Sequence, residues 1–149
     1  MIYTDSSKYA IRAMVYLAAN AKDGAPIAAG EIAEAEGIPP FYLAKILQDL
    51  TRAGLLKSAR GRGGGFRLTK PAADVSVYEI VQAAENIGRL TDECILGIEV
   101  CSDDVPCPLH STWGEFRDSF LTSLKELSIA DMALEMQRKK SGSGNGDRQ

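Results

Sequence analysis

Hydrophobic residues recur at helical spacing through the first third of the chain. Residues 8–20 are rich in alanine and apolar on nearly every side, which predicts a buried first helix. Residues 29–36 predict a short second helix that Gly37 ends. Pro39 and Pro40 open a third helix, because a missing N–H costs little at that position. The predicted core stripe of the third helix is Leu43, Ile46, Leu47 and Leu50.

The third helix is followed by a predicted hairpin. Gly54 ends the helix, and two short strands over residues 55–59 and 66–69 flank the run Arg60-Gly61-Arg62-Gly63-Gly64-Gly65. The loop is long enough to form a flexible tip. The predicted outer face of the third helix carries Phe41, Ala44, Lys45, Gln48 and Arg52.

The second half of the chain is less regular. Residues 75–85 predict a helix, residues 88–110 show no regular period, and residues 128–137 predict a last short helix. Between them, apolar residues spaced 3, 4, 4 and 3 apart predict a helix with a narrow apolar face. The members of that face are Trp113, Phe116, Phe120, Leu124 and Leu127.

These elements predict a mainly α-helical fold with a small β-hairpin wing. We expect a winged helix-turn-helix domain over residues 1–86, a cysteine-rich loop over 87–110, a dimerisation helix region over 111–137 and a disordered tail over 138–149. The length of 149 residues, with 45% hydrophobic and 25% charged residues, is typical of a globular protein. No apolar run is long enough for a membrane helix and no secretory segment opens the chain, so we expect a cytoplasmic protein without a membrane partner.

The basic residues are concentrated in one segment. Residues 45–70 hold seven lysines and arginines against one acid, a net charge of +6, whereas the whole chain carries −3. A local basic stripe is typical of polyanion binding whatever the total charge. Charge alone leaves open a solvated face that only confers solubility.

A short helix, a turn, a second helix and a glycine-tipped basic hairpin predict binding to double-stranded promoter DNA. A helix fits the major groove, and arginines beside glycines can approach phosphates or a minor groove closely. The run lacks the Gly-Lys-Ser/Thr end of a P-loop, and Phe66 stands where a dinucleotide fingerprint needs glycine. A mere flexible turn is the remaining alternative for the loop. The predicted DNA-binding residues are Tyr42, Lys45, Gln48, Arg52, Arg60, Arg62 and Gly63.

All three cysteines and the only histidine fall in one irregular loop. Cys94, Cys101, Cys107 and His110 have the spacing C-x6-C-x5-C-x2-H. Thiolates are soft ligands that suit iron–sulfur clusters and zinc, so the pattern indicates a metal or redox site. A Cys3His zinc site is an alternative, although no tight C-x2-C pair is present. Three buried free cysteines with a solvated histidine are the other alternative.

With these motifs in place, the chain resembles the IscR/NsrR family of bacterial winged-helix iron–sulfur regulators, in the Rrf-two superfamily. The resemblance covers about residues 1–135 and combines the first helix, the helix-turn-helix, the glycine wing and the cysteine loop. The residues that carry it are Tyr3-Thr4, 8–14, Ile32-Ala33, 37–39, Tyr42-Leu43, Ile46-Leu47, 54–56, Ser58, Arg60-Gly61, 63–66, Cys94, Cys101, 107–110 and Trp113.

The resemblance implies a homodimer whose recognition helices enter successive major grooves and whose long helix crosses its partner. It therefore assigns the dimer contact to Trp113, Phe116, Phe120, Leu124 and Leu127. It implies that the three cysteines bind an iron–sulfur cluster, with His110 at the histidine position of the family. The histidine favours [2Fe–2S], and [4Fe–4S] remains open. One branch takes its fourth ligand from an acidic residue near the N-terminus of the other subunit, where this chain has Lys8, which cannot serve. Lys45 and Arg60 match DNA-contacting positions.

We therefore expect a dimeric transcription repressor whose DNA affinity depends on an iron–sulfur cluster that senses redox, iron or nitric oxide status. The alternatives are a zinc- or thiol-based winged-helix regulator without the cluster, and a small iron–sulfur electron or cluster carrier. With one histidine and no recognisable nucleophile–base arrangement, the sequence does not predict an enzyme or a small-molecule substrate.

Overall fold

A computed structural model describes residues 4–142, and that part of the chain contains seven α-helices and one two-stranded hairpin. The elements of the first half are α1 (Asp5–Asn20), α2 (Ala29–Glu36), α3 (Pro40–Arg52), β1 (Leu56–Ala59), β2 (Gly65–Leu68) and α4 (Val77–Ala84). The elements of the second half are α5 (Gly88–Asp92), α6 (His110–Glu126) and α7 (Ile129–Gly142). This architecture confirms the predicted fold class, a mainly helical protein with a β-hairpin.

Helix α1 lies at the centre of the fold. It contacts α2, α3, α4 and α7, and its side chains Ala10, Met14 and Leu17 are fully buried. A helix that is apolar on nearly every side must be covered on nearly every side, which explains why four other helices surround it. The first helix was predicted to be buried, and the structure agrees.

The helix-turn-helix follows the sequence prediction closely. Helix α2 ends at Glu36, directly before Gly37, and α3 begins at Pro40. All four residues of the predicted core stripe of α3 are buried, from Leu43 to Leu50. The opposite face of α3 is therefore fixed towards solvent by the packing of its inner face.

The wing is a short antiparallel hairpin that is fastened to the body of the protein. Strands β1 and β2 pair from Leu56 opposite Leu68 to Ala59 opposite Gly65. Near the tip end of β2, the backbones of Ile27 and Phe66 exchange two hydrogen bonds, of 2.9 and 2.8 Å. Because Ile27 is buried ahead of α2, the wing is held against the helix-turn-helix.

The second half of the chain differs from the sequence prediction in four places. Residues 88–110 contain one short helix, α5, because Leu90 finds a buried place in the core. Helix α6 ends at Glu126, so Leu127 lies in the turn that follows it. Helix α7, assigned by the sequence to the dimerisation region, packs on α1 of its own chain through Ile129 and Ala133. The predicted disordered tail is helical as far as Gly142, and residues 143–149 lie outside the described part of the chain.

The start of α4 carries a capping box. Ser76 Oγ accepts the Glu79 N–H at 3.2 Å, and a Glu79 carboxylate oxygen accepts the Ser76 N–H at 2.9 Å. These two bonds satisfy backbone groups that a helix end otherwise leaves without a partner.

We expect Ser76→Ala to lower the free energy of unfolding by about 1 kcal/mol, measured by urea denaturation, because this cap is lost. The matched control is Ser123→Ala, since Ser123 Oγ only donates to the Ser119 carbonyl inside α6. Alanine is the better helix former at such a position, so the control should not lose stability. Equal losses in the two variants would contradict the capping role.

The same capping contact makes a contribution to stability that depends on pH. The Lys70 ammonium, 2.8 Å from Glu79, and the Ser76 N–H hold the pKa of Glu79 below its ordinary value of 4.5. A carboxyl group with a lowered pKa in the folded state stabilises the fold above its ordinary pKa. That contribution is lost as the pH falls through the lowered value.

Candidate functional site

The outer face of α3 presents a stripe of exposed side chains. Phe41, Lys45, Gln48 and Arg52 are spaced 4, 3 and 4 residues apart, so they share one side of the helix. Lys45 and Arg52 expose 75% and 72% of their side chains. Tyr42 lies about 100° further round the helix, where its ring is 6.5 Å from the ring of Tyr9 in α1. All the residues predicted to bind DNA on this helix are therefore exposed, with Tyr42 at the edge of the stripe.

The sequence analysis placed Phe41 on this outer face but did not include it among the DNA-binding residues. It exposes 84% of its surface and stands at the N-terminal end of the same stripe. Its position four residues before Lys45 is the sequence signal that places it on the same side of the helix.

Asp49 forms ion pairs with two cations of the stripe. Its carboxylate lies 3.8 Å from Lys45 Nζ and 3.4 Å from Arg52 Nη1, and only 21% of its side chain is exposed. The pairs are exposed and contribute little to stability. Their effect is to hold two long cationic side chains near the helix face.

The tip of the wing carries the remaining predicted DNA contacts. Arg60, Arg62 and Gly63 are all exposed there. A hydrogen bond of 3.0 Å from the Gly64 N–H to the Gly61 carbonyl closes the turn. The predicted flexible loop is therefore a defined turn, and it projects the two arginines beyond the strands.

The last two glycines of the run are required by the packing of the wing rather than by contact with a ligand. Gly65 has a φ of +149°, and a Cβ there would overlap the carbonyl of Ile27, to which the wing is fastened. A Cβ on Gly64 would overlap the carbonyl of Ala59 on the facing strand. Both positions need glycine because another backbone segment lies against them.

One member of the basic segment is occupied elsewhere. Lys70 pairs with Glu79 at the start of α4, so it supports the capping box and does not face the stripe of α3. Part of the positive charge of residues 45–70 is therefore used in an ion pair within the protein.

The first two cysteines flank a small hairpin. Glu93 and Val100 form a β-bridge, and the Gly97 N–H donates to the Cys94 carbonyl at 2.8 Å to close the turn. The Cys101 N–H donates to the Asp92 carbonyl at 2.9 Å. The six residues between Cys94 and Cys101 thus fold back on themselves, so that both thiols line the same cavity.

The three cysteines and His110 line one cavity of about 400 Å³ at the N-terminus of α6. His110 is the first residue of α6, and its Nδ1 lies 3.3 Å from Cys101 Sγ. Its Nε2 lies 2.8 Å from an Asp103 carboxylate oxygen. The structure therefore brings together all four residues predicted as ligands.

Backbone amides and neighbouring thiols shift the acidity of two of the cysteines. The backbone N–H groups of Leu96 and Ile98 donate towards Cys94 Sγ and lower the pKa of that thiol. Burial raises the pKa of Cys107, and the adjacent Cys94 and Cys101 raise it further. The pKa of one thiol is thus lowered and that of another is raised within the same cavity.

The donor set fits an iron–sulfur cluster by its chemistry. Within residues 4–142, no three histidine, cysteine or acidic side chains converge closely enough to hold one metal ion. A [2Fe–2S] cluster, however, distributes its protein ligands over two irons, so four donors spread around one cavity suit it. Amide N–H groups directed at cysteine sulfur, as at Cys94, are also what tunes such clusters.

The aromatic side chains of α6 form a continuous row, which we call the aromatic row: Trp113, Phe116 and Phe120. Adjacent ring centroids are 5.8 and 6.1 Å apart, and the Phe116 and Phe120 rings are within 3° of parallel. Phe116 exposes 47% of its surface. Of the other two predicted dimer residues, Leu124 is already buried in its own chain and Leu127 lies beyond the end of the helix. Of the five predicted residues, Phe116 is the most exposed, and Leu127 exposes 36% of its surface.

None of the helices within residues 4–142 combines the length and the apolar content that crossing a bilayer requires.

Comparison with known proteins gives a consistent family match. Residues 3–135 match the Rrf2 family model, described as an iron-dependent transcriptional regulator. A Haemophilus influenzae protein named among the HTH-type transcriptional regulators is 34% identical over 132 residues, covering 89% of this chain and 86% of that protein.

Two solved structures with similar folds carry different descriptions. CymR, described as the global cysteine regulator of B. subtilis, superimposes with a TM-score of 0.73 at 25% identity, covering 89% of this chain and 95% of CymR. IscR of T. potens superimposes with a TM-score of 0.71 at 25% identity, covering 98% of this chain and 92% of IscR. The family and the named relatives are transcriptional regulators, which confirms that the chain is not an enzyme.

Proposed function

Because the chain belongs to the Rrf2 family of transcriptional regulators, we propose that it is a homodimeric repressor whose affinity for promoter DNA is controlled by an iron–sulfur cluster. The observation that carries this proposal is the gathering of all three cysteines and the only histidine around one cavity at the N-terminus of α6. The ligands we propose are Cys94, Cys101, Cys107 and His110.

The DNA-binding part of the proposal assigns α3 to the major groove and the wing to the adjacent backbone or minor groove. Lys45 and Gln48 are exposed at the centre of the stripe, where they can meet base edges. Arg52, Arg60 and Arg62 can contact phosphates, so binding should weaken steeply as the salt concentration rises. Tyr42, at the edge of the stripe, and Gly63, at the wing tip, complete the predicted surface.

When bound, an iron–sulfur cluster would supply a centre that changes with oxidation state and is lost on oxidative attack or nitrosylation. The three thiolates and the imidazole would then bind the cluster in the cavity, which would order residues 94–110. Asp103, which contacts His110 Nε2, would fix the tautomer that leaves Nδ1 directed into the cavity.

The cysteine loop is joined to the DNA-binding domain by direct contacts. The loop enters α6 at His110, and Arg117 Nη1 of α6 donates to the Thr91 carbonyl of α5 at 3.1 Å. The Val77 N–H at the start of α4 donates to the Leu127 carbonyl at 2.9 Å. Helix α4 in turn contacts both α6 and α3. We infer that a change in loop order shifts α6, and thereby the spacing or tilt of the two recognition helices in the dimer.

The dimer is proposed to form through the aromatic row, because stacked aromatic rings around an exposed phenylalanine are typical of an interface core. We expect Phe116→Asp to weaken the dimer by about tenfold or more, because the new carboxylate would have to be buried. Sedimentation equilibrium measures the change.

The matched control for the dimer is Thr122→Asp, which adds the same charge to an exposed position on the opposite side of α6. It should leave the dimer unchanged. A Phe116→Asp protein that stays as dimeric as the parent would exclude the aromatic row as the interface.

The experiment that tests the function is anaerobic purification, followed by iron and sulfide counting and a promoter binding assay on the same sample. We expect a brown protein with about two irons and two sulfides per chain. Removal of the cluster with an oxidant should change DNA affinity several-fold. Identical binding by the loaded and stripped forms on every promoter tried would defeat the proposal. A colourless protein with one zinc per chain would favour the zinc alternative.

A thiol-based regulator is the second candidate, and one observation favours it. Cys94 and Cys107 line the same cavity, so the cluster-free protein would present two thiols to one space. The structural similarity to CymR, the global cysteine regulator, is compatible with this candidate. A protein that purifies without iron, yet changes its DNA affinity when Cys94 and Cys107 are oxidised, would favour it over the cluster.

A further inference from the structure

The recognition helix begins with an exposed aromatic side chain that the proposed function does not use. Phe41 is the second residue of α3 and exposes 84% of its surface. Its ring meets that of Tyr42 edge-on, with the centroids 6.2 Å apart. A single exposed apolar side chain is ordinary on a protein surface, so exposure alone carries no argument. The position of Phe41 does.

Phe41 stands on the stripe that faces the proposed DNA. It precedes Lys45 by four residues and Gln48 by seven, so the three side chains leave the helix in nearly the same direction. In helix-turn-helix proteins the N-terminal residues of the recognition helix contact base edges. The buried stripe from Leu43 to Leu50 fixes the rotation of α3, so Phe41 is held towards the groove.

The neighbouring aromatic residue is directed elsewhere. The Tyr42 ring lies 6.5 Å from that of Tyr9, and the Arg12 guanidinium stands 5.9 Å from the centre of the Tyr9 ring. Tyr42 therefore leans on α1, whereas Phe41 extends the line of Lys45 and Gln48. Of the two, Phe41 is placed to enter the groove.

The chemistry of a phenyl ring limits what it can recognise there. It has no hydrogen-bonding group, so it cannot contact a phosphate or the donors and acceptors of a base edge in the way that Lys45 and Gln48 can. The apolar group that base pairs present in the major groove is the C5-methyl of thymine. We propose that Phe41 recognises thymine methyl groups and makes this regulator prefer thymine at one or two positions of each half-site. This inference rests on the proposed DNA-binding function.

The experiment replaces thymine by deoxyuridine, which removes only the methyl group. Binding sites are first selected from random duplex DNA with the unmodified protein, and each thymine of the selected site is then exchanged singly. We expect about a fourfold loss of affinity at one or two positions per half-site, the value of burying one methyl group. Phe41→Ala should bind thymine and deoxyuridine equally at those positions.

Arg52→Ala is the comparison variant, because Arg52 is assigned to a phosphate contact. It should bind every site more weakly and lose part of the salt dependence, yet keep the deoxyuridine penalty of the parent. Circular dichroism is expected to show the same helix content for Phe41→Ala and the parent, since the ring is outside the core.

Three outcomes would contradict the proposed role of Phe41 without contradicting the proposed DNA-binding function. These are a parent protein that is indifferent to deoxyuridine at every position, a Phe41→Ala protein that keeps the penalty, and a Phe41→Ala protein that loses affinity equally for all sequences. The last would indicate a wedge between base steps or a backbone contact. If random DNA yields no selected site at all, the DNA-binding function fails, and the inference fails with it.

Discussion

A Cys107→Ser protein is expected to purify without an iron–sulfur cluster and to bind promoter DNA as the oxidant-stripped parent does. Serine has nearly the size of cysteine, but its hydroxyl is not the soft ligand that iron in a sulfide cluster requires. Cys107 is the suitable position because it is only partly buried, whereas Cys94 is buried and its replacement could also disturb packing. Iron and sulfide per chain, visible absorbance and DNA affinity measure the effect.

The matched control for Cys107 is Ser102→Ala, a change in the same loop at a side chain that no ligand role is proposed for. It should keep the iron, the sulfide and the response of the parent. A Cys107→Ser protein that retains full iron and sulfide would remove Cys107 from the ligand set.

His110→Cys is expected to keep the cluster and lower its reduction potential, because a thiolate replaces a neutral imidazole.

The second large effect is expected at the start of β2, where the wing is attached to Ile27. Gly65→Ala should lower the free energy of unfolding by about 2–4 kcal/mol, the combined cost of an unfavourable φ and an overlap with neighbouring backbone. The overlap is with the Ile27 carbonyl, which accepts the Phe66 N–H, so relief of the strain would detach the wing from the body. DNA affinity should fall with it, because Arg60 and Arg62 would lose their fixed position. Urea denaturation and a binding assay measure the two losses separately.

Gly61→Ala is the control for Gly65, since Gly61 also has a positive φ, of +87°, but open space where a Cβ would stand. It should cost only about 1 kcal/mol. Equal costs at the two positions would show that the contact with Ile27 is not what requires glycine at residue 65.

The helix-turn-helix could be predicted from the sequence almost to the residue. The bounds of α2, the start of α3 and the buried stripe from Leu43 to Leu50 agree with the prediction because they depend on local signals. A glycine or a proline ends or begins a helix through its own backbone, and helical spacing assigns the inner face. The second half gave weaker signals. The short helix α5 depends on a core position for Leu90, and α7 follows from packing on α1.

The cysteine site was predictable in membership but not in arrangement. Spacing alone assigns the three cysteines and His110 to one loop, and only the hairpin closed at Gly97 brings Cys94 and Cys101 to one cavity. The contact of Cys101 with His110 depends on the course of the loop in space. Sequence spacing cannot fix that course because an irregular loop has no repeating geometry.

The sequence by itself thus determined the helix-turn-helix, the basic segment and the identity of the candidate ligands, all of which follow from residue type and short-range period. Tertiary structure alone decided which members of those sets act together. Contact with Ile27 separates the structural Gly65 from the exposed arginines of the wing tip. An ion pair joins Lys70 to Glu79, and the packing of α3 leaves Phe41 exposed. Each of these depends on residues distant in the chain, so their effect exists only once the chain is packed.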